Sequence, residues 1–223
     1  MSITGLFLML FLLVHLSMNL TLMLNNFTWL GTTWGQGELF NAGAHFMISN
    51  PLIRIVEPVL AIGFIVHIIY ATLITLRNRR RRPIGYAVSN RNYLSTWSSK
   101  NMYILGFTLL VFLVIHLLQF FYDIRFTEMP KTVVKGVEMD DTFQIVAGLF
   151  TQPGGWGYLY SGLYMLGGIA LGLHLSHGFW SAFQTVGWNN MKWVQRIKVI
   201  SIIFGVLVGA GFTVIPMYFL FIY

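Results

Sequence analysis

Charged residues are scarce in this 223-residue chain, and cysteine is absent. Asp, Glu, Lys and Arg make up 9% of the residues, against about 25% in soluble domains, whereas 56% are hydrophobic. A water-soluble globule of this size could not expose so little charge, so the composition predicts an integral membrane protein. Because it has no cysteine, the chain forms no disulfide, no thiolate metal site and no cysteine-held iron–sulfur cluster of its own.

Five apolar runs are each long enough to cross a bilayer as a helix, which takes about 20 residues. We predict spans I to V at residues 3–24, 52–76, 102–122, 158–183 and 199–223. None alternates polar and apolar residues like a barrel strand, and the first is too long for a signal peptide. The predicted fold is an all-α integral membrane protein, a single domain over 1–223 with longer loops at 25–51 and 123–157.

Basic residues collect on one side of the predicted membrane. Side A is the side of the N-terminus and of the II–III and IV–V loops, and side B holds the other loops and the C-terminus. Side A receives no acidic residue and ten of the fourteen basic ones: Arg77, Arg79, Arg80, Arg81, Arg82, Arg91, Lys100, Lys192, Arg196 and Lys198. The positive-inside rule makes side A cytoplasmic. We interpret the run Arg79 to Arg82 as a topology signal, with a lipid-binding or partner-docking patch as the alternative.

Five of the six histidines fall inside predicted spans: His15, His67, His116, His174 and His177. An ionisable side chain at membrane depth indicates a functional site by default. At about 1.5 Å of rise per residue, His67 and His174 lie roughly 14 Å from side A. His15 and His116 lie roughly 18 and 20 Å from it. The spacing therefore predicts two facing pairs at two depths.

Two such pairs are what two bis-histidine b-type haems require, because haem iron takes axial ligands on opposite faces of the macrocycle. Zinc would need further ligands at the same level, and a proton relay would need chained carboxylates. Hydrogen-bonded packing histidines are the remaining alternative. The four-residue spacing of Gly168/Gly172 and Gly205/Gly209 predicts close helix approach, with room for a flat macrocycle as the other interpretation.

Several motifs occur in order along nearly the whole chain: Thr4-Gly5-Leu6-Phe7-Leu8 before His15, Phe40-Asn41 with His45-Phe46-Met47, His67 before the basic loop, Trp97-Ser98-Ser99-Lys100-Asn101-Met102 with Gly106 before His116, and His174-Leu175-Ser176-His177-Gly178-Phe179-Trp180-Ser181. With these motifs the sequence resembles the cytochrome b membrane-anchor subunit of succinate:quinone oxidoreductases. The resemblance is to the single-chain, five-helix, two-haem class, in its Bacteroidota-like form. Two features depart from that class: the basic segment before the first helix is missing, and Lys100 stands where arginine is frequent.

The resemblance implies five transmembrane helices forming a bundle around two b haems. His67 and His174 would ligate the haem nearer side A, and His15 and His116 the farther one. It also implies a bacterial cytoplasmic membrane, an N-terminus inside and a C-terminus outside. The implied partners are a flavoprotein and an iron–sulfur subunit on side A, membrane lipids and a quinone, menaquinone in this form, with no nucleic acid. The chain would be the quinone-reacting, electron-transferring subunit rather than the one that converts succinate.

Candidates for contact with the haem propionates lie near side A. Ser2, Trp97, Lys100 and His177 are polar groups there, and charge-assisted hydrogen bonds suit such carboxylates. His177 is one turn from His174 and cannot ligate the same iron equally. Interfacial snorkelling and capping are the alternative for these residues.

Candidates for a quinone site lie toward side B. Quinone reduction needs protons, so a titratable group is expected near the pocket, and Glu38, His45 and Glu57 qualify, with Arg54 as a carbonyl partner. Pairing with Arg54 at i−3 is the alternative for Glu57. Solvation is the alternative for Glu38, and a wetted interfacial position is the alternative for His45.

Three rival functions remain open. A cytochrome b anchor of a hydrogenase or formate dehydrogenase would also use membrane histidines. A haem-free anchor would only fix soluble subunits to the membrane. A transporter is disfavoured because the chain shows neither paired repeats nor broken helices.

Overall fold

The computed structural model describes residues 1–81, 97–188 and 190–223, with backbone only at Met191 and Lys192. Arg82, Arg91 and the side chain of Lys192, all assigned to side A, lie outside that description. About 79% of the described residues are helical. Five helices in this part of the chain are long and apolar enough to cross a membrane, which confirms the predicted all-α membrane class.

Nine α-helices can be distinguished in the described residues: α1 Ser2–Leu20, α2 Glu38–Ser49, α3 Pro51–Arg81, α4 Trp97–Lys100, α5 Met102–His116, α6 Tyr122–Phe126, α7 Thr142–Phe150, α8 Trp156–Thr185 and α9 Met191–Phe221. A 3₁₀ turn extends α1 to Met23, and a π turn joins α5 to α6. The spans exceed the predicted bounds most at the arginine end of α3 and at the start of α9. At both ends the helix continues beyond the apolar run into a segment that carries basic residues.

Four of the long helices form a closed ring. Packing contacts join α1 to α3, α3 to α5, α5 to α8 and α8 back to α1. In this ring α1 therefore stands diagonally opposite α5, and α3 diagonally opposite α8. The fifth long helix, α9, packs along α8 and also touches α1. No residue of α3 is buried, whereas each of the other three helices buries at least one.

The α8–α9 contact is made by backbone against backbone. A Cβ atom added to Gly205 would lie 2.5 Å from the carbonyl oxygen of Gly172, and one added to Gly209 would lie 2.9 Å from the Gly172 Cα. The buried Ser201 hydroxyl donates to the Ser176 carbonyl oxygen across the same seam. The glycine spacing thus produces the close helix approach that it predicts.

Side B carries structure where loops were expected. Two antiparallel hairpins are present, β1–β2 at Phe27–Trp29 and Thr32–Trp34 and β3–β4 at Lys131–Val134 and Val137–Asp140. Their two-residue turns, 30–31 and 135–136, have positive φ at both positions. That is the type I′ geometry favoured in tight hairpins, with glycine second in each turn.

A buried asparagine ties α2 to α7 on side B. Asn41 is 4% exposed. Its Oδ1 accepts hydrogen bonds from the Thr142 hydroxyl and the Phe143 amide, both at 2.8 Å. Its Nδ2 donates to Asp141 at 2.9 Å, and that carboxylate also caps α7 at Gln144. These bonds fix the polar cap over the side B end of the bundle.

Candidate functional site

The first histidine pair lies across one diagonal of the ring. His15 on α1 and His116 on α5 have ring centroids 5.8 Å apart, with the ring planes 86° to one another. Two imidazoles on opposite sides of one metal have centroids about 6 Å apart, because each metal–nitrogen bond is about 2 Å. The observed separation matches that requirement.

Aromatic side chains surround this pair. Phe11 stacks on His15 at 5.3 Å and Phe212 of α9 lies 5.8 Å away. On the other side His116 contacts Phe112, Phe120 and Tyr164, at centroid distances between 5.3 and 6.0 Å. Such walls suit a flat apolar macrocycle and keep water from the imidazoles.

The second pair lies across the other diagonal, nearer side A. His67 on α3 faces the start of α1, where the Thr4 hydroxyl is 3.3 Å from its Nδ1. A Cβ on Gly5 would lie 3.8 Å from His67 Cε1, and one on Gly106 of α5 would lie 3.7 Å from His174 Cε1. His67 therefore lies against α1 at Gly5, and His174 lies against α5 at Gly106.

The two pairs are offset by the same distance on both flanking helices. On α1, Gly5 beside the second pair precedes His15 by ten residues. On α5, Gly106 precedes His116 by ten residues as well. Ten residues of helix rise about 15 Å, so both helices place the pairs at the same two heights.

Each pair contains a ring nitrogen without a partner. Within the described residues, Nδ1 of His116 and Nδ1 of His174 are buried and form no hydrogen bond. A buried polar atom without a partner is costly and calls for an explanation such as a ligand or ion. No group of three or more His, Cys, Asp or Glu residues that could hold a metal ion occurs in the described part of the chain. Pairs without a third protein ligand suit haem, whose macrocycle supplies the other iron ligands.

A π turn follows His116 directly. It spans Leu117–Phe121, and π turns inside helices are frequent at functional sites. Gln119 in this turn accepts a 2.8 Å hydrogen bond from the Tyr164 hydroxyl of α8. Sequence analysis identified neither Gln119 nor Tyr164, although a glutamine inside an apolar span is a readable signal.

The side A candidates differ in their surroundings. Trp97 is 62% exposed and Lys100 is exposed next to it. The Ser2 hydroxyl is buried without a partner among the described residues. His177 is half-buried, and its Nδ1 accepts a hydrogen bond from the Trp180 indole at 3.3 Å.

The side B candidates are not gathered into one cluster. Glu57 forms an ion pair with Arg125, beyond the π turn, whereas Arg54 donates to the Ile48 carbonyl oxygen. The alternative interpretation of Glu57, an i−3 pair with Arg54, therefore does not hold, because a cation from the neighbouring span reaches Glu57. His45 lies half-buried on α2, and Arg125 was missed because it follows the apolar part of span III.

Glu38 is held at the start of α2 by two donors. The Lys135 ammonium lies 2.8 Å from one carboxylate oxygen, which also accepts from the Gly35 amide at 2.8 Å. Lys135 and, second, this amide hold the pKa of Glu38 below its ordinary value of 4.5. Glu38 is therefore ionised at neutral pH and joins α2 to the β3–β4 turn.

Fold and site together define a class: a multi-pass helical membrane protein with two diagonal histidine pairs at two heights. No protein-family model, curated protein or solved structure matches this chain.

Proposed function

We propose that this chain is the dihaem cytochrome b membrane anchor of a succinate:quinone oxidoreductase, passing electrons between an iron–sulfur subunit and menaquinone. The observation that carries the proposal is the placement of four histidines as two diagonal pairs about 15 Å apart in height. Each pair includes a ring nitrogen that nothing in the described residues satisfies. Buried histidines that served only packing would be hydrogen-bonded, and the shared ten-residue interval from glycine to histidine on α1 and α5 would then have no explanation.

The residues present fit haem b at both levels. His15 and His116 would hold one group, and His67 and His174 the other. Bound haem supplies reversible one-electron chemistry inside the bilayer, with a potential tuned by its ligands and surroundings. The chain fixes the imidazoles on four helices, lines the first pair with aromatic rings and excludes water. Near the side A level, Ser2, Lys100 and His177 are the groups for haem propionates.

The absence of cysteine supports a division of labour within a larger complex. This chain can hold haem, but the iron–sulfur clusters and the succinate chemistry must reside in other subunits. We place those subunits on side A, which the positive-inside rule assigns to the cytoplasm. The quinone belongs toward side B, where the Glu57–Arg125 pair supplies a titratable group inside a span.

Haem content tests the proposal directly. Pyridine haemochrome analysis of the purified complex should give two b haems per chain. His15→Ala and His174→Ala should each lose one haem, with different absorption bands retained. His45→Ala is the matched control, because His45 lies on α2 outside the ring, and it should keep both haems. One haem or none in the unmodified chain would overturn the dihaem assignment.

The electron donor separates this proposal from other cytochrome b anchors. Succinate added to the anaerobic complex should reduce the haems, and a flavoprotein should co-purify with the chain. Reduction by hydrogen or formate but not succinate would remove the succinate assignment and leave the haem sites intact. A complex with no haem absorption would identify a plain membrane anchor.

A further inference from the structure

The side A end of α3 carries four arginines whose charge no residue of this chain balances. Arg77, Arg79, Arg80 and Arg81 are all exposed. All seven acidic residues of the sequence lie toward side B: Glu38, Glu57, Asp123, Glu128, Glu138, Asp140 and Asp141. Within α3 itself, Glu57 precedes Arg77 by twenty residues, about 30 Å of helix. The counter-charge must therefore come from outside the chain.

The arginines do not all point the same way. At 3.6 residues per turn, positions 77, 80 and 81 share one face of α3, and we call Arg77, Arg80 and Arg81 the arginine face. Arg79 points elsewhere, and its guanidinium lies 5.5 Å from the ring centroid of Tyr103 on α5. Since Arg79 is directed at the neighbouring helix, the arginine face is turned away from that contact.

An exposed apolar stripe runs into the arginine face from the membrane interior. Tyr70, Leu73 and Ile74 lie seven, four and three residues before Arg77, on the same side of α3. Tyr70 is 53% exposed and Leu73 43% exposed, and no residue of α3 is buried. The surface thus offers apolar contact at bilayer depth and three guanidinium groups where the stripe reaches side A.

We propose that this surface binds an anionic phospholipid, with its phosphate on the arginine face and an acyl chain along the stripe. Guanidinium groups bind phosphate oxygens through paired, charge-assisted hydrogen bonds. Basic clusters at the end of a membrane helix attract anionic headgroups. An acidic protein segment would satisfy the arginines but not the stripe, whereas a phospholipid carries both chemistries in one molecule. The inference does not depend on the proposed redox function.

The first test compares lipid preference between two charge-matched variants of the full complex. Spin-labelled phosphatidylglycerol and phosphatidylcholine are added to the protein in phosphatidylcholine bilayers, and their relative association is measured. Arg77→Gln/Arg80→Gln/Arg81→Gln should lower the phosphatidylglycerol preference at least about fivefold. Lys192→Gln/Arg196→Gln/Lys198→Gln removes the same charge from side A on α9, and should keep the preference. Equal loss in both variants would show only diffuse attraction and would overturn the site.

A second test needs no substitution, so a folding defect cannot obscure it. Photoactivatable phosphatidylglycerol is cross-linked to the unmodified complex and the modified peptides are mapped. Labelling should concentrate on residues 70–74, and unlabelled phosphatidylglycerol should compete for it more strongly than phosphatidylcholine. Labelling spread evenly over all five spans would overturn the proposal. Labelling of 70–74 only after partner subunits are stripped away would overturn it too, because the face would then be a protein interface.

Discussion

Tyr164 fixes the segment that follows His116. Its hydroxyl donates to Gln119 in the π turn, and its ring packs against the imidazole of His116. We expect Tyr164→Phe to lower the free energy of unfolding in detergent by about 1 kcal/mol, because Gln119 loses its partner in an apolar setting. Under the proposed haem assignment, the absorption band of the haem that His15 and His116 would hold should shift as well. Tyr158→Phe, at a highly exposed position of α8, should change neither quantity.

Glu38 gives the side B cap a defined pH dependence. The pKa of Glu38 is lower in the folded protein than its ordinary value of 4.5. The carboxylate of Glu38 therefore stabilises the side B cap fully above pH 4.5, and this stabilisation is lost as the pH falls through the folded-state pKa. We expect proteolysis of the β3–β4 hairpin to accelerate once the pH falls below the folded-state pKa of Glu38. Glu38→Gln should show fast cleavage already at neutral pH, whereas Glu138→Gln, exposed on the same hairpin, should behave like the unmodified chain. An unchanged pH profile in Glu38→Gln would contradict the role of the Lys135 contact.

At the scale of elements, the α8–α9 seam depends on residues without side chains. A Cβ on Gly205 would meet the Gly172 carbonyl oxygen and the Ser176 amide nitrogen, both of them backbone. We expect Gly205→Ala to destabilise the protein by about 1–3 kcal/mol through overpacking. Gly162→Ala adds the same methyl group to α8 in open space and should be neutral or stabilising. Thermal unfolding in the same detergent compares the two, and equal melting temperatures would contradict the close seam.

The sequence predicts the spans but not the hairpins of side B. A bilayer imposes about 20 apolar residues on each helix, so the spans are visible in composition alone. The hairpins are three or four residues long, and their turns at 30–31 and 135–136 depend on backbone conformation. Glu57 shows the same limit for side chains. Spacing along the helix suggested Arg54 as its ion-pair partner, but the packing of the neighbouring span places Arg125 beside it.

At the scale of the whole molecule, the diagonal arrangement of α1, α3, α5 and α8 determines which histidines act together. Depth along a helix follows from the rise per residue, so the existence of two heights is predictable, but the predicted depths differ by only about 4–6 Å, against about 15 Å between the pairs in the structure. Which helices face each other is not, because that depends on the order of packing around the ring. The depth estimate and the family resemblance grouped the histidines into the same two pairs, whereas only the contacts between helices show that each pair lies on a diagonal of the ring.

Double substitutions distinguish diagonal pairs from any other grouping. We expect His15→Ala/His116→Ala to lose one haem, because both changes fall on one pair. His15→Ala/His67→Ala also removes two histidines but breaks both pairs, and it should lose both haems. Haem-to-protein ratios measure the difference. Equal ratios in the two double variants would contradict the diagonal pairing.

The exposure of α3 bears on how the ring can open. The ring α1–α3–α5–α8 closes through a helix that buries none of its residues, and the described ion pair at its side B end joins it to Arg125. Because the other contacts of α3 are light, opening the ring along this helix would disrupt little packing. If the proposed haems bind between the diagonals, α3 is the helix whose displacement would open that space with the smallest loss of packing.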